Sequence, residues 1–185
     1  KSIMETINSK VFFSAWTNVI KQRINEVEAI WDGELKEYTS FIKGNADCIL
    51  NDVSHELGLL CYPHDYYSID SILYAAEDRI SGLGEHNYFF RDMRVAFEHE
   101  NIFKSGLYKE VAHLLLMNCD LKVLVTYPNV IDYTDEMNYL HGIIKGNRNS
   151  QEIAEKDGFL IIFGFDEGHR WEGFIFKEDE WMKIQ

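Results

Sequence analysis

Apolar residues recur at the helical period through the N-terminal part of the chain, where Phe12, Trp16, Val19, Ile20, Val27, Ile30, Trp31, Tyr38, Phe41 and Ile42 make one stripe between polar positions. The spacing predicts one long helix, or two separated near Gly33. A further helix is expected over Ala46–Leu60, with Ile49, Val53, Leu57 and Leu60 on its buried side and Pro63 as its stop. From Tyr66 to Ala76 the pattern changes to "YYSIDSILYAA", whose aromatic and branched residues favour a strand that Asp70 interrupts. "ISGLGEHN" reads as a turn and "FFRDMRVAFEHENI" returns to strand character, which gives an antiparallel pair joined by an acidic, glycine-containing loop. Lys104 to Cys119 is helical by period, with Leu107, Tyr108, Val111, Ala112, Leu115 and Cys119 as the expected buried stripe.

The apolar run "LKVLVTYP" follows as a short strand ended by Pro128. The strand from Val95 to Asn101, the helix after it and the strand from Leu121 to Tyr127 leave room for a right-handed crossover, so the two strands are expected to be parallel. A helix over Thr134–Lys145 and a closing hairpin, "GFLIIFGFD" and "WEGFIFKED" around "EGHR", complete the reading. The fold class is therefore α/β, a mixed sheet with helices on both sides. With 185 residues, 46% of them hydrophobic, the chain can bury a full core, and residues 1–185 are read as a single domain with the helical segment 1–43 packed on it. Internal repeats and low-complexity tracts are lacking.

Within the strand "VAFEHEN", side chains alternate, so Val95, Phe97 and His99 share one face while Ala96, Glu98 and Glu100 share the other. Placing Phe97 under the following helix leaves the two carboxylates facing a second layer or a cleft. Burying both without a positive partner costs on the order of several kcal/mol or forces protonation. A cation, a basic side chain or water has to be there. Asp70, one strand earlier, is placed across from or next to Glu98, and the three acids offer oxygen ligands suited to Mg²⁺. The backbone carbonyl of His99 is a further available ligand, and Glu56 enters from the edge of the preceding helix.

The order of these pieces resembles the core of the PD-(D/E)XK nuclease superfamily: "SID" at Ser68–Asp70, the hairpin partner "VAFEHE", a crossover helix, then "LKVLVTY". The resemblance spans roughly Asp47 to Tyr127. It implies a restriction-endonuclease-like, three-layer α/β/α architecture and hydrolysis of nucleic-acid phosphodiesters, DNA foremost, with Mg²⁺ or Mn²⁺. Asp70 matches the family's first metal-binding acid, Glu98 the acid of the second motif and Glu56 an acid that some members carry on the helix before the sheet. Glu100 stands where the family usually has lysine, and Ile69 where it has proline; Lys104 or Lys109 on the next helix then takes the lysine's part. Glu100 would orient or deprotonate the attacking water. The rival reading is a noncatalytic interaction or regulatory protein derived from such a fold, with a protein partner; a small-phosphate hydrolase is a third.

The formal charge of -13 opposes nonspecific attraction to a polyanion, so nucleic acid would have to meet a local basic groove drawn from Lys104, Lys109, Lys122, Lys145, Arg148, His169 and Arg170. "HE" at His55–Glu56 lacks the second histidine of a zinc protease, since Leu59 holds that place, and no serine sits in a nucleophile elbow. Cys48, Cys61 and Cys119 are read as buried free thiols. Trp16 and Trp31, at helical spacing, are read as core. Without an apolar stretch long enough for a bilayer or a leader-like N-terminus, the expected location is the cytoplasm, away from the membrane.

Overall fold

The computed structural model describes residues 6–185; the first five positions of the expected N-terminal helical segment lie outside the described residues. The stripe that begins at Phe12 makes three helices, α1 (Ser9–Gln22), α2 (Ile24–Ile30) and α3 (Leu35–Ile42). The break near Gly33 is where the sequence puts it. A second break at Arg23 splits the first segment, because Arg23 leaves helical geometry (φ -108°, ψ 23°) while its guanidinium binds Glu26 and Asp52. Asn8 caps α1, its side chain accepting from the amide of Val11 at 3.0 Å.

Helix α4 (Ile49–Glu56) is shorter than expected. Leu60 is not on its buried side: Gly58 takes φ 69° and ends the helix, and Leu60 opens strand β1 (Leu60–Tyr62), which three residues make too short to read by period. Strand β2 is Ser71–Tyr74 alone. The aromatic residues before it form a tight turn in which Tyr66 and Ile69 exchange backbone hydrogen bonds (2.8 and 3.1 Å) around Tyr67 and Ser68 at positive φ (49° and 66°). Strand β3 (Val95–Glu100) pairs antiparallel with β2, as expected.

Helix α5 (Tyr108–Leu115) begins only after Gly106 at φ 102°. Leu107 and Val111 are buried as expected and Leu114 joins them, whereas Tyr108 and Ala112 are exposed and Leu115 and Cys119 half-buried, so the buried face is rotated by part of a turn from the expected one. Strand β4 (Leu121–Thr126), buried along its whole length, runs parallel to β3. Helices α6 (Thr134–Lys145) and α7 (Ser150–Glu155) lead to β5 (Phe159–Phe165), also parallel, and β6 (Arg170–Phe176) returns antiparallel through a turn at Gly168. A short edge strand, β7 (Trp181–Lys183), closes the sheet, tied to α6 by the Trp181 indole donating to the carbonyl of Met137 at 2.8 Å.

The chain is thus α/β, with a seven-stranded open mixed sheet in the order β1-β2-β3-β4-β5-β6-β7. Both parallel connections step in the same direction along the sheet, so right-handed crossovers put α5, α6 and α7 on one face. Helices α1 to α4 cover the other. Two apolar cores result: Phe12, Trp16, Val53, Phe97 and Val125 on the α1–α4 side, and Ala96, Val111, Leu114, Leu124 and Phe163 on the α5–α7 side. Among the described residues, no helix is long and apolar enough to cross a membrane, and the three cysteines are free thiols, Cys48 buried and the others half-buried.

Left-handed backbone at a residue with a side chain costs about 1 kcal/mol, and glycine removes that cost at a smaller loss of chain entropy. Ser68→Gly is therefore expected to stabilise the fold by up to about 1 kcal/mol, measured as a raised urea midpoint at unchanged slope.

Candidate metal centre

Strand β3 divides its side chains between the two cores. Phe97 lies under α1, its ring 6.0 Å from that of Trp16 and 6.5 Å from that of Phe12, and not under the following helix as the sequence suggested. The alternation itself is as expected: with Phe97 on the α1 side, Glu98 points beneath α5. His99 turns back to the first face, where its Nε2 meets the Tyr127 hydroxyl at 2.9 Å.

Asp70 sits where the β2–β3 ladder ends. The register Ser71↔Phe97 brings Asp70 opposite Glu98. Its carboxylate takes over the ladder, Oδ2 accepting from the amide of His99 at 2.8 Å, while its own amide donates to Glu98 Oε2 at 3.3 Å. Lys43, one residue past α3, donates to Asp70 Oδ1 at 3.2 Å and to its carbonyl at 3.1 Å.

Helix α5 closes the site from above. With Leu107, Val111 and Leu114 buried, about 100° per residue places Glu110 and His113 on the flank of that stripe and Lys109 on the far side. His113 Nδ1 lies 3.6 Å from Glu98 Oε1 and 3.8 Å from Glu110 Oε2, both beyond hydrogen-bond length. Glu98 Oε1 and His113 Nδ1 are buried with no hydrogen-bond partner, and the Glu98 side chain is only 2% exposed. Leaving a buried polar atom unsatisfied costs about 1–3 kcal/mol.

Burial first, then the nearby charges of Asp70 and Glu110, push the Glu98 carboxyl up to about 10. Glu110 is also raised, by burial and by Asp70. Burial drives the neighbouring His99 the other way, down to about 4, with Asp70 opposing and Lys43 assisting. Two acids and an imidazole, Glu98, Glu110 and His113, bring their ligand atoms within 4.8 Å of one another beside Asp70; these are donors of the type that hold a divalent cation, and the buried orphan oxygen of Glu98 is the observation that favours the fit.

The structure brings together Asp70 and Glu98 of the expected set and adds Glu110, His113 and Lys43, which the sequence reading passed over. The spacing Glu-x-x-His at Glu110–His113 was the available signal, since residues three apart share a helix face; Lys43 had none. Glu100 stands at the strand end, its carboxylate accepting from the amide of Ile102 at 2.8 Å. Glu56 is elsewhere. It accepts from Asn18 on α1 at 2.6 Å, and α4 ends towards Leu60, which pairs with Tyr74 at the end of β2 away from Asp70. Lys104 and Lys109 are exposed and form no ion pair among the described residues. His99 contributes its backbone at the strand; its ring faces away from Glu98. No lysine or arginine pairs with Glu98 or Glu100 among the described residues, and Arg94 is held by Asp78 at 2.8 Å.

No family model, curated protein or solved structure matches this chain.

A carboxyl raised in the folded state binds a proton that the unfolded chain has given up, so its contribution to stability is full below about 4.5 and is lost as pH climbs towards about 10. His99 works oppositely, costing stability as pH falls from about 6.5 towards about 4. Without added metal, Glu98→Gln is expected to melt close to the parent at pH 5 and well above it at pH 9, by scanning calorimetry. Equal melting shifts at both pH values would contradict the burial-driven titration.

Proposed function

We propose that this protein is a divalent-metal-dependent hydrolase of nucleic-acid phosphodiesters, with DNA as its first substrate, built on a restriction-endonuclease-like core. The observation that carries the reading is the pairing of Asp70 with a buried Glu98 whose Oε1 has no partner, at the seam between antiparallel and parallel strands. The order α4, β1, β2, β3, α5, β4, with the first three strands antiparallel and the fourth parallel, agrees with the nuclease superfamily that the sequence resembles.

Asp70 and Glu98 would hold Mg²⁺ or Mn²⁺, with the His99 carbonyl beside them. The cation, when bound, polarises the phosphate and makes water a better nucleophile. Glu100, at the open end of the same strand face, is placed to orient the water and accept its proton as the P–O bond to the leaving oxygen breaks. Lys43 supplies the positive charge that the lysine usually found at the Glu100 position would bring, from a different part of the chain. Lys104 and Lys109, exposed in the segment after β3, are available to the phosphate backbone. A small-phosphate hydrolase is less well supported: a wide groove lined by Asp92, Asn118, Lys122, Arg148 and Asn149 lies at the other end of the sheet, away from Asp70 and Glu98.

One observation favours the noncatalytic alternative, a regulatory or interaction protein on the same fold. Glu100 is already used to cap the turn at Ile102, and Lys43 to neutralise Asp70, so both could be purely structural. Cleavage assays decide between the two. Full-length protein with Mg²⁺ or Mn²⁺ is expected to nick or cut DNA, and Asp70→Asn or Glu98→Gln to lose at least about a hundredfold in rate, on the scale of losing the metal's contribution, while circular dichroism stays native. Lys43→Met is expected to slow cleavage yet retain metal binding in calorimetry. Absence of cleavage of DNA and RNA across metals and end structures, with no heat of metal binding, would leave the noncatalytic reading.

A further inference from the structure

The two partnerless atoms of the site are a carboxylate oxygen and an imidazole nitrogen, and they face each other. We infer that α5 completes the centre with Glu110 and His113, and that this mixed oxygen–nitrogen set selects Mn²⁺ or a similar transition-metal ion over Mg²⁺ and Ca²⁺. The inference rests on the metal-binding reading of Asp70 and Glu98 and specifies which ion that site takes.

The ligand atoms of Glu98, Glu110 and His113 all lie within 4.8 Å of one another. Around a cation with ligands at about 2.1–2.2 Å, adjacent donors of an octahedron stand about 3.0 Å apart and opposite ones about 4.3 Å. The separations of 3.6 Å and 3.8 Å from His113 Nδ1 to Glu98 Oε1 and Glu110 Oε2 fall between these limits. Side-chain rotations that shorten them by about 0.6–0.8 Å would close them on an ion as adjacent ligands. They are too long for the direct hydrogen bonds that would otherwise satisfy the atoms.

His113 is poised for this and little else. Its side chain is 44% exposed, yet Nδ1 is the buried atom and is turned towards Glu98. A surface histidine without an inward task would leave both nitrogens to water. Glu98 has one oxygen engaged by the Asp70 amide and the other, Oε1, free on the His113 side. Backbone hydrogen bonds fix Asp70, and the buried Val111 and Leu114 fix the rotation of α5, so the donors sit on ordered elements.

The chemistry of the fourth donor sets the preference. Mg²⁺ and Ca²⁺ are hard ions served by oxygen, and Mg²⁺ parts with its waters reluctantly. Imidazole adds affinity mainly for first-row transition metals, of which Mn²⁺ tolerates an otherwise carboxylate-rich, six-coordinate site.

Two measurements on the full chain with the metal alone as probe test this. Titration calorimetry is expected to show Mn²⁺ bound at least about tenfold more tightly than Mg²⁺. Electron spin-echo spectra of the Mn²⁺ complex are expected to show coupling to one ¹⁴N nucleus. His113→Gln should erase the nitrogen signal and the preference for Mn²⁺ while leaving Mg²⁺ affinity within about twofold. Mn²⁺ binding that is abolished by Asp70→Asn but shows no nitrogen coupling in the parent protein would overturn the inference and leave the metal-dependent reading intact. A parent protein that binds neither ion would overturn both. The spectrum of the parent needs no variant, so poor folding of His113→Gln would not rescue the idea.

Discussion

Strand β3 is the constraint on which the rest depends. It pairs antiparallel with β2 on one side and parallel with β4 on the other, and its alternate residues go to two separate cores. Phe97 stacks under α1, which fixes the strand's rotation, and the pleat then gives Glu98 no choice but the α5 side. A slip of one residue would put the carboxylate among Phe12 and Trp16 and the phenyl ring against Asp70. The acid is buried because the aromatic beside it is anchored. The same pleat sends His99 to Tyr127, so two neighbouring titratable residues are buried on opposite faces, and desolvation pushes each towards its neutral form.

Most of the architecture was legible because long, strongly patterned segments carry it. Thr134–Lys145 is the helix that the period predicted, and the β3–α5–β4 unit and the closing hairpin follow from strand runs and crossover length. What escaped was short or governed by tertiary contacts. Strands β1 and β7 are three residues each and exist through their neighbours. The turn at Tyr67–Ser68 carries no glycine or asparagine to announce it, so the aromatic run before Asp70 read as strand.

The site shows the same division. Asp70 opposite Glu98 could be deduced from alternation and hairpin order, since both are consequences of backbone geometry. The contributions of Glu110 and His113 hung on the phase of α5. The expected stripe, which spans Leu107 to Cys119 and includes Tyr108, Ala112 and Leu115, turns both residues to solvent; the actual one, centred on Leu107, Val111 and Leu114, brings them round to its flank beside Glu98. Less than one residue of phase, roughly 70° of rotation, is the difference. Lys104 and Lys109 follow from the resemblance, which allows the lysine on the next helix, while the lysine that reaches Asp70 comes from the end of α3, where only the packing of the N-terminal layer could bring it.

That contact from Lys43 ties the site to a part of the chain outside its own strands and helix. The strands from β1 to β4 pair with one another, but the Asp70 carboxylate keeps its positive partner only while the α1–α3 layer stays packed on the sheet. Fraying of the last turn of α3 in the native ensemble would remove that partner without disturbing a single strand.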